Sequence, residues 1–345
     1  MARADLLSAA SARDTNVPAW RVTLDGADLT DRIRPRLIML SLSQRRDGEA
    51  DELRLELQDE DGHLDLPKKG ALLSVELGWS RGRDVALGLV RMGSFKVDEV
   101  GHSGPPDKVT VRARSADLTG DYRIRREESW RDSTLGKILE TIAGRNGLQL
   151  GIAPELASQA IPLLSQAGKS DMALVRELGR RFDAVATVKE SRLIFSAIGR
   201  GTSVAGAEFG TVTLTRRHCS DHSYSEVDRD SYKGVQASWH DQDGAERKSV
   251  HAGETKGAKR LKRTYASQAE AEQAASAEWK RLQRGAAEFD ITLNLGRPDI
   301  RLEQRVALSG WKPAIDSRSW LVAEAEHSLG GSAGLRTRLK LETAP

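Results

Sequence analysis

The chain has 345 residues, 39% hydrophobic and 30% charged, with 53 Lys and Arg against 50 Asp and Glu for a net charge of +3. That is enough apolar material for two or three cores at about 100–200 residues per domain, while the near balance of charge argues against a surface held to nucleic acid by clustered cations. The lone Cys219 excludes an intramolecular disulfide and fits synthesis in a reducing compartment, and no run of about 18 apolar residues reads as a membrane span.

Residues 1–17 are polar, carry Ala, Ser and Arg and lack the apolar stretch of a signal peptide, so a flexible N-terminus is expected there. From Trp20 to about Leu118 the chain reads as β throughout. Trp20-Arg-Val-Thr-Leu24 alternates into Asp25-Gly26, a two-residue hairpin signal. Asp51-Glu-Leu-Arg-Leu-Glu-Leu57 alternates again, with Leu53, Leu55 and Leu57 on one face and Glu52, Arg54 and Glu56 on the other. A first barrel-like β domain is therefore expected over 18–120.

The character changes at Asp132-Ser-Thr-Leu135. A helix capped by Asp132 or Ser133 would bury Leu135, Ile138, Leu139, Ile142 and Ala143 and stop at Asn146-Gly147. A second helix from Ser170 or Asp171 would bury Leu174, Val175, Leu178 and Phe182, then lead through Ala184-Val-Ala-Thr-Val-Lys189, a Glu190-Ser191 turn and Leu193-Ile-Phe-Ser-Ala-Ile198. This is a small α+β domain over 121–200, with Gly199-Arg-Gly-Thr202 as linker. Residues 201–345 return to β with one inserted helix, 267–284, announced by the capping box Ser267-Gln-Ala-Glu270. Phe289, Ile291, Leu293 and Leu295 then alternate as a strand that Gly296-Arg-Pro298 ends.

One pattern occurs twice. In Gly93-Ser-Phe-Lys-Val-Asp-Glu-Val-Gly-His102 and Arg318-Ser-Trp-Leu-Val-Ala-Glu-Ala-Glu-His327, an aromatic, a Val, a Glu, a small apolar residue and a His recur at one offset, 320 − 95 = 225. Pro67 to Gly78 precedes the first copy and Leu302 to Gly310 the second; the alternating strings Val109-Thr-Val-Arg-Ala113 and Leu335-Arg-Thr-Arg-Leu-Lys-Leu341 follow. The fold class expected is mainly β (α+β), with two similar antiparallel barrel-like domains flanking the α+β domain. Alternating strings also recur by composition in strand-rich chains, so coincidence is the competing explanation.

Chemistry-bearing patterns are sparse. His218-Cys-Ser-Asp-His222 holds metal-ligand residue types, but structural zinc sites pair ligands from two places and no CxxC or second His pair exists; a polar loop is the preferred reading. Asp59-Glu-Asp-Gly62 and Asp241-Gln-Asp-Gly244 lack the spacing of a twelve-residue calcium loop and read as turns. Lys256-Gly-Ala-Lys-Arg-Leu-Lys-Arg263 is either a nucleic-acid contact or, the favoured reading, the solvated edge of a hairpin. No phosphate-binding glycine loop, GxSxG elbow or HExxH appears, and the spacing of any carboxylate pair for glycoside hydrolysis is open at this level. No catalytic, cofactor-binding or metal residue is assigned, and no cofactor is expected.

Four strings in order carry a family resemblance: Pro67 to Gly78 with Gly93-Ser-Phe-Lys-Val-Asp98; Thr134-Leu-Gly-Lys-Ile-Leu-Glu-Thr-Ile-Ala143 with Asn146-Gly-Leu148; Ser170-Asp-Met-Ala-Leu-Val-Arg-Glu-Leu-Gly-Arg-Arg-Phe-Asp-Ala184; and Trp320 to His327. Over about Trp20 to Leu341 the chain resembles the phage late control gene D family, tail hub proteins of contractile-tailed phages related to the hub region of VgrG spikes. The resemblance implies a non-enzymatic homotrimer in the virion baseplate, made and assembled in the host cytoplasm. Its two β domains would alternate round a channel to join a hexameric tail tube, or tube-initiator protein, to a trimeric spike.

Baseplate wedge proteins and the tape-measure protein are further implied partners, with DNA only in transit through the lumen and no membrane insertion. The sequence runs to Pro345 with no β-helical needle or lysozyme domain after the second module, so cell-wall hydrolysis is expected of a partner. The alternatives from other classes are a peptidoglycan hydrolase of the tail tip and a DNA-binding late regulator. Against the latter, the two central helices are separated by Leu148 to Lys169, far more than the turn of a helix-turn-helix.

Overall fold

A computed structural model describes residues 15–46, 50–115, 120–226, 232–241, 244–331 and 334–344. The flexible stretch expected at 1–17 falls largely outside the described residues, as do Leu118 and the middle of the Asp241-Gln-Asp-Gly244 turn.

The first β module contains β1 (Val17–Leu24), β2 (Leu37–Arg45), β3 (Glu52–Gln58), β4 (Leu72–Arg81), β5 (Gly88–Ser103) and β6 (Lys108–Arg114). Their order in the sheet is β2-β3-β6-β5-β4-β1. Alternation places Leu53, Leu55, Leu57, Val75, Leu77, Phe95, Val97, Val109 and Val111 in one apolar core. The Asp25-Gly26 turn is as expected: both residues have positive φ, 48° and 86°, and Leu24 pairs with Ala27. The reading of this region as β throughout needs one correction. A short helix, Thr30–Ile33, and a 3-10 turn, Arg34–Arg36, join β1 to β2, and Ile33 plugs the core.

The central unit packs α1 (Leu135–Arg145) and α2 (Asp171–Phe182) on a small sheet in which the hairpin β7 (Ala184–Lys189) and β8 (Arg192–Ala197) meets Gln149–Ile152. The cap of α1 is Thr134, whose hydroxyl accepts the Lys137 N–H at 3.3 Å, not Asp132 or Ser133. Those two residues belong instead to the strand Ser129–Thr134, which pairs with Ala160–Ser165. The cap of α2 is Ser170, as one of the two expected residues.

The second module contains β9 (Thr211–Thr215), β10 (Cys219–Glu226), then a three-stranded sheet of β11 (Gly234–Asp241), β12 (Glu246–Gly253) and β13 (Ala258–Tyr265), then α3 (Gln268–Arg284), β14 (Ala287–Leu293), β15 (Arg305–Ser309), β16 (Ser319–Gly330) and β17 (Gly334–Thr343). Ser267 caps α3 by accepting the Glu270 N–H, but the reciprocal bond is shifted by one residue: the Glu270 carboxylate accepts the Ala266 N–H at 3.4 Å and pairs with Arg181 on α2 at 2.9 Å. Leaving the inserted sheet aside, the strands follow the order β10-β14-β17-β16-β15-β9.

With strands numbered by their position within each module, both orders read second, third, sixth, fifth, fourth, first. The bulges coincide as well. Val97 faces Ala113 and Glu99 faces Arg112, skipping Asp98; Val322 faces Leu341 and Glu324 faces Lys340, skipping Ala323 at the same offset of 225. Phe95 and Trp320, equivalent by that offset, are both fully buried. The modules differ where the first strand docks: β1 runs antiparallel to β4, whereas β9 runs parallel to β15.

Candidate functional site: the joint between the β modules

The segments with chemistry-bearing residue types take ordinary places in the fold. His218-Cys-Ser-Asp-His222 is not a loop but a 3-10 turn running into β10. His218 bonds Thr215 through Nδ1, Cys219 is buried with its thiol pushed up by desolvation, and His222 lies against Phe289 and Trp311. Asp59 and Asp61 close a turn, accepting the N–H groups of Leu64 and His63 at 3.0 and 3.2 Å. The basic run lies on β13, an edge strand parallel to β11, so the hairpin reading is corrected. Leu261 packs beneath α3 while Arg260, Lys262 and Arg263 stay exposed.

What the fold does build is a joint. The N-terminal part of β16 pairs with β15 within its own module, but residues 324–329 cross to the first module and pair antiparallel with residues 45–40 of β2. The two modules thereby share one thirteen-stranded sheet. His327 sits at this crossing, opposite Leu42, fully buried, with Nδ1 2.9 Å from the Thr337 hydroxyl. Burial holds its pKa down at about 4, against the opposing pull of Asp299. Gly330 follows, and a Cβ there would fall 2.4 Å from the Ile38 carbonyl oxygen, so the approach of the two modules requires glycine.

A buried ionic chain fastens the joint from the side. Arg46, 6% exposed, follows directly on β2 and pairs with Glu303 and Glu342 of the second module. Glu342 also meets Arg284 Nε at 3.2 Å, and Arg284 forks onto Asp183 at the end of α2, with one contact at 2.6 Å. Glu303 Oε2 accepts the N–H of Gly199 at 2.7 Å, so the linker is held too. Burial raises the Glu303 carboxyl above the usual glutamate value, with Arg46 and that N–H pulling it back. A cavity of about 310 Å³ opens beside this chain, with Arg176, Arg180 and Arg281 facing Asp183 and Glu342.

His327 and Gly199 were named in the sequence for other reasons, whereas Arg46, Glu303 and Glu342 were not singled out. Arg46 and Glu303 lie too far apart in the chain for a motif to link them. One signal was available: Gly70 and Glu303 occupy equivalent positions, each donating its N–H to the bulge-preceding valine, Val97 or Val322, and each with positive φ, 92° and 66°. A glutamate where the sister module has glycine marks a side chain kept against backbone strain.

The sequence profile of the family described as phage tail baseplate hub (GPD) matches residues 51–333. A probable baseplate hub protein of Escherichia phage 186 is 37% identical over 94% of this chain and 92% of its own. That of Escherichia phage P2 is 38% identical over 96% and 94%. Among solved structures, the 43 kDa tail protein of prophage MuSo2 from Shewanella oneidensis matches with a TM-score of 0.67 at 12% identity, over 94% of this chain and 98% of that one. A chain of the half-lidded Francisella PdpA–VgrG complex matches at 0.57 and 9% identity, over 99% and 61%. At such identities the structural matches show a shared fold.

Proposed function

Since the chain belongs to the phage tail baseplate hub family, we propose that it is a non-enzymatic homotrimeric adaptor seating a trimeric spike on one side and starting a hexameric tail tube on the other. The observation that carries this reading is the repetition of one strand order and one set of bulges in both modules. Three copies of a tandem repeat present six near-equivalent surfaces while keeping threefold symmetry. We divide the chain into β domains over 18–120 and 201–345 around an α+β domain over 121–200. In this reading the β domains line the lumen and the α+β domain faces outward. The partners are the spike, the tube or its initiator, baseplate wedge proteins and the tape-measure protein, with DNA passing only through the lumen; assembly takes place in the host cytoplasm.

Mass photometry of the purified protein is expected to give trimers, and a threefold map to place the α+β domain outside. A persistent monomer, or a lumen lined by that domain, contradicts the reading. Zymography on peptidoglycan is expected to give no clearing; a cleared band would move the assignment to a tail-tip hydrolase.

A further inference from the structure

The second module differs from the first by an insertion. Residues 46–51 alone join β2 to β3, whereas the equivalent connection from β10 to β14 carries β11, β12, β13 and α3. Val235, Ala237, Val250 and Leu261 turn inward to pack on Ala271 and Ala275 of α3. The opposite face is open. Its rows across β11 and β12 are Gln236–His251, Ser238–Ser249 and His240–Arg247, to which β13 adds Arg260 beside Gln236 and Thr264 beside Ser238. Apart from the central Gln236 and Ser238 all of these are exposed, as is Lys262 in the bulge between Arg260 and Thr264.

Charge on the insertion is sorted by face. Residues 232–265 hold 8 Lys and Arg against 4 Asp and Glu, so the +4 of this segment exceeds the +3 of the whole chain. The other cations of these strands are matched: Lys248 with Asp241 and Glu246, Lys259 with Glu278 of α3, and Arg263 over the Tyr265 ring. On the open face, Arg247, Arg260 and Lys262 form no ion pair among the described residues, and no Asp or Glu shares their rows.

We propose that this open face docks an acidic protein surface, its arginines taking carboxylates in bidentate contacts and the hydroxyl and amide groups between them meeting a polar rim. Spacing and composition select that partner. Arg247 and Arg260 stand on opposite edge strands, beside His240 and Gln236 of β11, which separates them by roughly 13 Å along the sheet and about 10 Å across it. That is too far for one small anion. Trp239 and Tyr265, the rings that could stack bases, face α3 instead, and three cations would hold only about three phosphates of a duplex. The first module lacks this face, so a trimer offers it at three positions and not six; only that count rests on the trimeric hub reading.

Fluorescence anisotropy with labelled poly-L-glutamate tests the face in the full chain. Arg247→Ser, Arg260→Ser and Lys262→Ser together remove its cations, while Arg32→Ser, Lys137→Ser and Lys312→Ser remove the same charge from exposed sites elsewhere. The face variant is expected to bind about tenfold or more weakly than the parent, and the scattered variant within about twofold of it. A parent that does not bind poly-L-glutamate, or equal losses in the two variants, overturns the proposal. Duplex DNA or phosphatidylserine vesicles held more tightly than poly-L-glutamate through the same three residues overturn it too, in favour of a nucleic acid or a membrane. A monomer by mass photometry that keeps face-dependent binding contradicts the trimeric hub and leaves the docking surface standing.

Discussion

At position 303 the second module holds a glutamate where the first has Gly70, in the same left-handed backbone conformation. A side chain at such φ costs about 1 kcal/mol or more relative to glycine, so its persistence implies a larger return, the buried pairing with Arg46 and the Gly199 N–H. Removing one partner of a buried pair costs about 3–5 kcal/mol, chiefly by stranding the other charge. Glu303→Ala and Glu303→Gly both leave the buried Arg46 with Glu342 as its remaining carboxylate and the Gly199 N–H without its acceptor, but only glycine relaxes the backbone. Both should lower the urea midpoint, with the glycine variant about 1 kcal/mol the more stable; equal midpoints would show that the φ carries no strain.

His327 yields a pH dependence at the same joint. Its folded pKa, about 4, is depressed from the ordinary 6.5, so the unfolded chain binds more protons between those values. The buried imidazole is neutral and fully tolerated above pH 6.5; stability is lost as the pH falls through that window, by up to about 3 kcal/mol. Unfolding free energies measured across the window should fall less steeply for His327→Gln than for the parent, and parallel curves would refute the assignment.

At the scale of elements, the sequence disclosed what depends on local pattern. Period-two alternation located β3 and the repeated β5 and β16, because a half-buried sheet sorts its side chains by parity, and the shared offset survived down to the skipped residues Asp98 and Ala323. Helix faces of α1 and α2 were legible for the same reason. The α1 cap was misplaced because Asp132, Ser133 and Thr134 all suit a cap, and the tertiary pairing of Ser129–Thr134 decided among them. The joint itself was hidden: which edge β16 pairs with is a matter of backbone groups, which carry no sequence signature. Its ionic fasteners, Arg46 and Glu303, are distant in the chain and are brought together by the folded sheet.

At the scale of the whole molecule, residues 99–103 of β5 pair only with β6 and β10 pairs only with β14 among the described residues, and two such open edges raise a question of solubility, since unpaired strands template unwanted association. Both edges carry the usual protections. Asp98 and Ser220 are bulged out of register, and Glu99, Asp221 and Glu226 are exposed charges beside them. The internal joint packs Leu40 and Leu42 where β10 offers His222 and Tyr224, so the open edge is the more polar of the two. Strand pairing should therefore protect the closed edge and leave the open ones unprotected in the isolated chain. Amide hydrogen exchange reads this directly. Residues 40–45 should be protected at every protein concentration, because their partner strand is in the same chain. Outward-facing amides over 99–103 and 222–226, paired on one side among the described residues, should exchange orders of magnitude faster in the isolated chain. Equal protection of the two sets would mean that these edges are already covered, against the one-sided pairing of β5 and β10.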